Sequence, residues 1–97
     1  MTTLPSSDDV YLAVGSTLAP RFLVDQLLDC ITEAARTRTR GHGFHGNRCE
    51  ASIRQVVLDA TCRSLAHGES QGPARAVFHG FSLAEQKVLD SRRVTTR

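Results

Sequence analysis

NRCEASIRQVVLDATCRSLAHG, residues 47–68, is the stretch of this sequence that decides its fold. Asn47 followed three residues later by Glu50 is typical of a helix N-cap with its capping-box partner, and Gly68 is a typical C-terminal stop. We therefore predict a helix over residues 48–67.

The apolar residues of this predicted helix lie on two of its sides when they are placed at about 100° per residue. A helix that is apolar on two sides is expected to be packed on two sides, and a chain of 97 residues has little other material to cover it. The segment therefore predicts surplus apolar surface, which is typical of an interface with another protein. The first stripe consists of Ile53, Val56, Val57 and Ala60, and the second consists of Ala51, Leu58, Cys62 and Leu65.

A second helix is predicted over residues 20–39, before a glycine-rich loop. Pro20 suits the first turn of a helix, and arginines crowd the end before Gly41, where they oppose the negative end of the helix dipole. The apolar residues form one broad stripe, but Phe22 falls among the charged residues of the other side. We expect Phe22 either to pack under the N-terminal segment or to remain available to a partner. The stripe consists of Leu23, Val24, Leu27, Leu28, Ile31, Ala34 and Ala35.

Two shorter elements complete the chain. Residues 10–14 (VYLAV) follow two aspartates and are predicted to form a short helix, although five apolar residues in a row are equally typical of a buried strand. Ser82 with Glu85 is a capping box that predicts a last helix over residues 83–92, and Pro73 opens a short element before it.

The predicted fold is all-α, a small bundle of three to four helices in a single domain over residues 1–97. The ends at 1–7 and 93–97 are expected to be loose, because they carry small polar or basic residues. The alternative is an α+β fold with a short N-terminal strand at 10–14. We favour the helical fold because the rest of the chain offers that strand no convincing partner.

The composition is that of a folded protein, with 40% hydrophobic and 23% charged residues. No apolar run approaches the roughly 18 residues that span a membrane, and the N-terminus lacks the pattern of a signal peptide. The three cysteines show no close pairing, which predicts a reducing cytoplasm. Lys87 is the one lysine among 12 basic residues, a bias typical of a GC-rich bacterial genome.

His42, His45 and Cys49 lie close together around the glycine-rich loop and are the candidate metal ligands, because zinc prefers imidazole and thiolate. Their spacing matches no established zinc signature, and the competing interpretation is two exposed loop histidines beside a packed cysteine. We therefore expect no cofactor, and a zinc-dependent sensor is the second alternative function.

Arg36, Arg38 and Arg40 gather positive charge beside this loop without an intervening acid. Such a cluster can bind phosphates or steer an acidic protein surface, and it also opposes the helix dipole. The net charge is only +2 and aromatic residues make up 5%, so a binder of single-stranded nucleic acid is disfavoured. The loop between the two long helices is also too extended for a helix-turn-helix.

The sequence lacks the patterns that are typical of common catalytic centres. It contains neither a G-x-S-x-G nucleophile elbow nor a G-K-[ST] phosphate loop. We therefore expect that the protein is not an enzyme.

The surplus apolar surface instead predicts a non-enzymatic regulatory module that self-associates, most simply as a homodimer. Such a module would act as an adaptor or antiactivator and bind another protein, for example a transcription regulator. The first alternative is a small nucleic-acid-binding transcriptional regulator. The predicted apolar anchors are Phe22, Leu58, Cys62 and Leu65, and the predicted steering cations are Arg36, Arg38 and Arg40.

Overall fold

The computed structural model describes residues 2–15, 20–69 and 78–92. Within these ranges the chain forms four helices and three two-residue strands, so the prediction of a small, mostly helical domain is confirmed. The helices are α1 (Ser7–Val14), α2 (Arg21–Thr39), α3 (Ala51–Glu69) and α4 (Leu83–Arg92). The strands are β1 (Thr2–Thr3), β2 (Phe44–His45) and β3 (Arg48–Cys49).

α1 begins where the sequence supplies a complete cap. The backbone amide of Asp9 donates to the Ser6 hydroxyl at 3.4 Å, and the Ser6 amide donates to the Asp9 carboxylate at 2.9 Å. These bonds satisfy amides that a helix start leaves unpaired. Residues 10–14 are therefore helical, with Val10 fully buried, and the alternative of a strand at this position is wrong.

A three-stranded sheet in the order β1-β3-β2 joins the N-terminus to the connection between α2 and α3. Thr2 and Phe44 pair with Cys49 from its two sides, both in antiparallel orientation. The Thr2 hydroxyl also donates to the Cys49 carbonyl at 3.3 Å. The prediction of a loose end at 1–7 is therefore wrong, because a strand far along the chain supplies partners for its backbone groups.

The sheet also changes where the central helix begins. Residues 48–49 form a strand, so α3 begins at Ala51 and Glu50 is the residue before its first turn. Asn47 lies too early in the chain to cap this helix, and that part of the prediction is wrong. At the other end, α3 continues past the predicted stop to Glu69.

α3 is the central helix and contacts each of the other three. The guanidinium of Arg54 lies 3.0 Å from the carboxylate of Asp9, which places α1 along one side of α3. The guanidinium of Arg63 lies 2.8 Å from the carboxylate of Glu85, which places α4 along a different side. α2 also packs against α3.

The second apolar stripe of α3 is partly buried within the chain. Leu58 and Leu65 follow Arg54 by one and three helical turns, so they lie on the same side of α3 as Arg54. Leu65 is only 1% exposed, and Leu58 is half-buried against the core. The stripe is therefore not wholly surplus surface, because Leu65 belongs to the core of its own chain.

The core lies where the four helices meet. The hydroxyl groups of its buried threonines donate hydrogen bonds to backbone carbonyls of their own helices. Thr39 donates to the carbonyl of Arg36 at 3.2 Å, and Thr61 donates to the carbonyl of Val57 at 2.8 Å. Neither threonine therefore leaves an unpaired group in the interior. The buried apolar residues are Val10, Val24, Leu27, Leu28, Ile31, Ala35, Cys49, Ile53, Val56, Val57, Ala60, Leu65 and Leu89.

α4 spans the predicted residues and begins with the predicted capping box. The Glu85 amide donates to the Ser82 hydroxyl at 3.2 Å, and the Ser82 amide donates to the Glu85 carboxylate at 2.9 Å. Leu89 of this helix is fully buried in the core. Most of the element predicted after Pro73, at 73–77, and the predicted loose tail at 93–97 lie outside the described residues.

Candidate protein-interaction surface

The fold separates the four predicted apolar anchors. Leu65 is buried, Leu58 and Cys62 are half-buried against the core, and Phe22 is 66% exposed. Burial, with a smaller effect from the Asp59 carboxylate, raises the pKa of the Cys62 thiol. The predicted four-residue patch does not form, because only Phe22 presents most of its side chain to solvent.

Arg21, the first residue of α2, fixes the start of α2 against α1. Its guanidinium donates to the Asp8 carboxylate and to the Ser7 hydroxyl, both at 2.6 Å. The same guanidinium lies 5.4 Å from the centre of the Tyr11 ring, within the range of a cation–π contact. These contacts hold the two helix ends in a defined relation.

Two large exposed apolar side chains follow this contact in the sequence. Leu12 follows Tyr11 on α1 and is 83% exposed, and Phe22 follows Arg21 on α2. We call Leu12 and Phe22 the junction patch. Single exposed apolar residues are normal, but two that are next in sequence to the partners of one contact between helices are candidates for a surface that a partner covers. Leu83, at the start of α4, is a separate exposed apolar residue at 77%.

Arg38 is engaged within the chain and does not form part of a free basic patch. Its Nε lies 2.9 Å from Oδ1 of Asp90, and its Nη2 lies 3.1 Å from Oδ2 of the same carboxylate. Hydrogen bonding to Asp90 raises the pKa of Arg38, in part against the effect of burial. This two-pronged geometry fills the fork of the guanidinium, so the predicted steering role of Arg38 is not supported.

Arg36 and Arg40 have different surroundings from Arg38. The Arg36 guanidinium lies 4.9 Å from the centre of the Phe44 ring, and its Nε lies 3.5 Å from a Glu33 oxygen. Arg40 ends α2 in the left-handed conformation, with φ of 57°, and is exposed. Of the three predicted steering cations, Arg40 is therefore the most accessible.

Four exposed residues lie along the side of α2 that faces away from the core. Phe22, Asp29 and Glu33 are separated by seven and four positions, close to two turns and one turn of helix, and Arg40 is the exposed residue that caps the C-terminal end of α2. We call these four residues the outer face of α2. Apolar, acidic and basic groups therefore follow one another along it.

A groove of about 770 Å³ runs between the outer face of α2 and the N-terminal segment. Apolar side chains of Leu4, Pro5 and Leu28 line it, together with the carboxylates of Asp25 and Asp29. The groove therefore combines apolar lining with negative charge. Its remaining lining residues are Ser6, Ser7, Thr32, Glu33 and Arg36.

The predicted metal ligands do not converge. Phe44 pairs with Cys49 and His45 pairs with Arg48, and because cross-strand partners share a face, His45 and Cys49 lie on opposite faces of the sheet. Cys49 is fully buried, and burial raises the pKa of its thiol, whereas His42 and His45 are exposed. Within the described ranges, no group of three or more His, Cys, Asp or Glu side chains could hold a metal ion.

The structure brings together two histidines that were not predicted to meet. The rings of His67 and His79 meet edge to face, with 5.4 Å between their centres, beside a pocket of about 290 Å³. Arg63 also lines this pocket, but its guanidinium is already paired with Glu85. The contact joins residues that are distant in sequence, so no local pattern could have revealed it.

In the part of the chain that the structure describes, no helix has both the length and the apolar character needed to cross a membrane. Comparisons with protein-family models, with curated proteins and with solved structures gave no match for this chain. The fold and surface therefore define the class no more closely than a small, mostly helical domain with a short three-stranded sheet. Any statement of function depends on the surface itself.

Proposed function

We propose that this chain is a non-enzymatic regulatory module that binds another protein through the junction patch. It would act as an adaptor or antiactivator, with a transcription regulator as the kind of partner we favour. The proposal is carried by the exposure of Leu12 and Phe22, which follow Tyr11 and Arg21, the two partners of the cation–π contact between α1 and α2. Full burial of one such side chain in an interface stabilises a complex by about 1.5–3 kcal/mol.

The position of the junction patch on helix ends also supports this role. Arg21 already bonds Ser7 and Asp8, so the two patch residues project from a preorganised framework. A preorganised surface loses little conformational freedom on binding, and more of the interaction free energy therefore appears as affinity.

We propose further that the module self-associates and works in a reducing cytoplasm. The thiols of Cys30, Cys49 and Cys62 are free, as is usual for proteins of that compartment. Arg40 lies roughly 27 Å along α2 from Phe22, since each helical residue rises about 1.5 Å. The basic end of α2 is therefore better placed to serve a second contact than to steer a partner onto the junction patch.

The competing function is nucleic-acid binding, and the charge distribution disfavours it. Arg38, Arg54 and Arg63 are each engaged with a carboxylate of the same chain. The exposed acids Asp29 and Glu33 on α2 would repel phosphates. A gel-shift titration against salt separates the two functions, because phosphate contacts weaken steeply as salt rises and an apolar interface does not.

The test of the proposal is affinity capture with immobilised protein. We compare the wild type with the double variant Leu12→Ser/Phe22→Ser, and with Leu83→Ser as a matched control that removes an exposed apolar residue elsewhere. A protein that the wild type and the control retain, and that the double variant loses, is then purified for direct binding. We expect the double variant to weaken that binding at least about tenfold, since one such anchor contributes more than 1 kcal/mol.

The same purified components test the regulatory step. If the partner is a transcription regulator, an antiactivator should reduce its occupancy of DNA or its contact with the transcription machinery. Equal retention of all proteins by the wild type and by the double variant would overturn the proposal.

A further inference from the structure

We infer that the C-terminal part of the outer face of α2, from Asp29 to Arg40, binds the same part of a second copy of this chain in antiparallel orientation. This inference rests on the self-association in the proposed function and adds its surface, orientation and register. The order of acidic and basic residues along this face supports the inference.

The charges on the outer face change sign along the helix axis. The exposed acids Asp29 and Glu33 occupy its middle, and Arg40 lies at its C-terminal end, with Arg36 on its edge. Neither a hydrogen bond nor an ion pair joins Asp29 or Arg40 to another side chain among the described residues. Both side chains are therefore available to a group outside their own chain.

Only an antiparallel arrangement makes this face complementary to itself. In a parallel pair, Asp29 and Glu33 would face their own copies, and like charges at such distances repel. In an antiparallel pair whose twofold axis crosses α2 between Glu33 and Arg36, Glu33 faces Arg36 of the second copy. Asp29 and Arg40 lie four residues beyond these positions on either side of the axis, so they face each other in the same register.

The twofold symmetry forms each of these pairs twice. A self-complementary surface of this kind closes after two subunits, as most homodimers do. Arg36 would contact Glu33 of the second copy while it remains near its own Glu33, so the four charges at the axis form a network. Isolated surface ion pairs contribute little, and the linked, reciprocal arrangement is what gives this face a preference for its copy.

The groove beside α2 gives the face a flank on which a second helix can rest. Its lining includes Leu4, Pro5 and Leu28 next to the carboxylate of Asp29. Aliphatic parts of Arg36 and Arg40 from the second copy can cover such apolar surface while their guanidinium groups reach the acids. Asp25 lies further from the axis and is already near the positive charge of Arg21, so this register does not require it.

Charge reversal in trans tests both the interface and its register. Sedimentation velocity of the wild type is expected to show a dimer that dissociates as salt rises. Asp29→Arg and Arg40→Asp should each be monomeric, because each places like charges opposite one another twice. An equimolar mixture of the two variants should form a heterodimer, because both reversed pairs are then complementary.

The control lies on a different helix. Lys87→Glu should dimerise like the wild type, and circular dichroism should show that all variants are folded. Aspartate suits position 40, since short polar residues tolerate the left-handed conformation found there. A monomeric wild type, a mixture that stays monomeric, or a dimer lost in Lys87→Glu would each overturn the inference.

Dimerisation through α2 and partner capture through the junction patch can fail independently of each other. A Leu12→Ser variant that still dimerises but captures no partner would support the interface on α2 while removing the proposed partner site. A wild type that captures its partner through Leu12 but stays monomeric would do the reverse.

Discussion

Arg63 and Glu85 form a two-pronged ion pair that fastens α4 to the central helix. Nη1 of Arg63 lies 2.8 Å from Oε2 of Glu85, and Nη2 lies 2.9 Å from Oε1. Glu85 is only 7% exposed and also accepts from the Ser82 amide that precedes α4. Burial alone would raise the pKa of Glu85, but hydrogen bonds from Arg63 and Ser82 outweigh it and lower the pKa below its ordinary value.

We predict that Glu85→Ala lowers the free energy of unfolding by about 1–2 kcal/mol, since it removes a helix cap and an ion pair together. The expected loss is small because about half of the Arg63 side chain is exposed and solvent screens the pair. Urea denaturation measures the change, and in a domain of this size the melting temperature should fall by about 4–8 °C per kcal/mol. Lys87→Ala, on the exposed side of the same helix, is the control and should change stability little.

Stability should also depend on pH through Asp9 and Glu85. The Ser6 amide is the main cause that lowers the pKa of Asp9, with Arg54 adding to it against the effect of burial. A carboxyl group whose pKa is lowered by folding stabilises the fold above its unfolded-state pKa, and this stabilisation is lost as pH falls through the folded-state pKa. The free energy of unfolding should therefore fall progressively as the pH is lowered below about 5.

Denaturation curves at several pH values measure this dependence. Asp9→Asn and Glu85→Gln should each be less stable at pH 7 and show a flatter profile at acid pH, because each removes one of the titrating groups. A profile for the double variant as steep as that of the wild type would show that other carboxylates control acid unfolding.

Local sequence signals predicted the helices well, and non-local pairing accounts for most of what they missed. The helix start after Ser82 was predicted from its capping box with Glu85, and that box forms. The short helix at 10–14 was predicted from the two aspartates before it, and it begins at Ser7. The sheet could not be predicted in the same way, because strands of two residues show no periodicity and β1 pairs with residues far along the chain.

The same distinction explains the errors about the surface. The surplus on α3 was inferred from its apolar stripes, but a sequence does not show that Leu65 is buried in the core of its own chain. Arg38 has no acid nearby in sequence, yet Asp90 of the last helix fills its guanidinium fork. Phe22 was recognisable as misplaced because it lies among charges on its own helix, which is a local property.

The hairpin between α2 and α3 should be sensitive to a side chain at Gly43. A Cβ at this position would collide with Cδ1 of Ile53, a residue of the packed core, whereas a Cβ at Gly41 would meet open space. The two glycines have nearly equal φ, +85° and +84°, so alanine strains the backbone similarly at both. We therefore predict that Gly43→Ala destabilises the fold by about 1–3 kcal/mol more than Gly41→Ala, as expected for overpacking.

Thermal and urea denaturation of the two glycine variants measure how much stability each loses. The loss in Gly41→Ala reports backbone strain alone, and the additional loss in Gly43→Ala reports the collision with Ile53. Equal losses of stability would mean that Ile53 moves aside without cost and that the strained backbone alone matters.

Leu65 and Leu12 offer a matched test of which apolar residues belong to the core. Leu65 is 1% exposed and Leu12 is 83% exposed, so the same change to alanine removes buried contacts at one site and almost none at the other. We predict a loss of about 2–5 kcal/mol for Leu65→Ala and less than about 0.5 kcal/mol for Leu12→Ala, measured by urea denaturation. Leu65→Glu should unfold the chain, because small domains have only about 5–15 kcal/mol of stability and a buried unpaired carboxylate costs several. A folded, monomeric Leu65→Glu variant would instead place this residue in an interface between subunits.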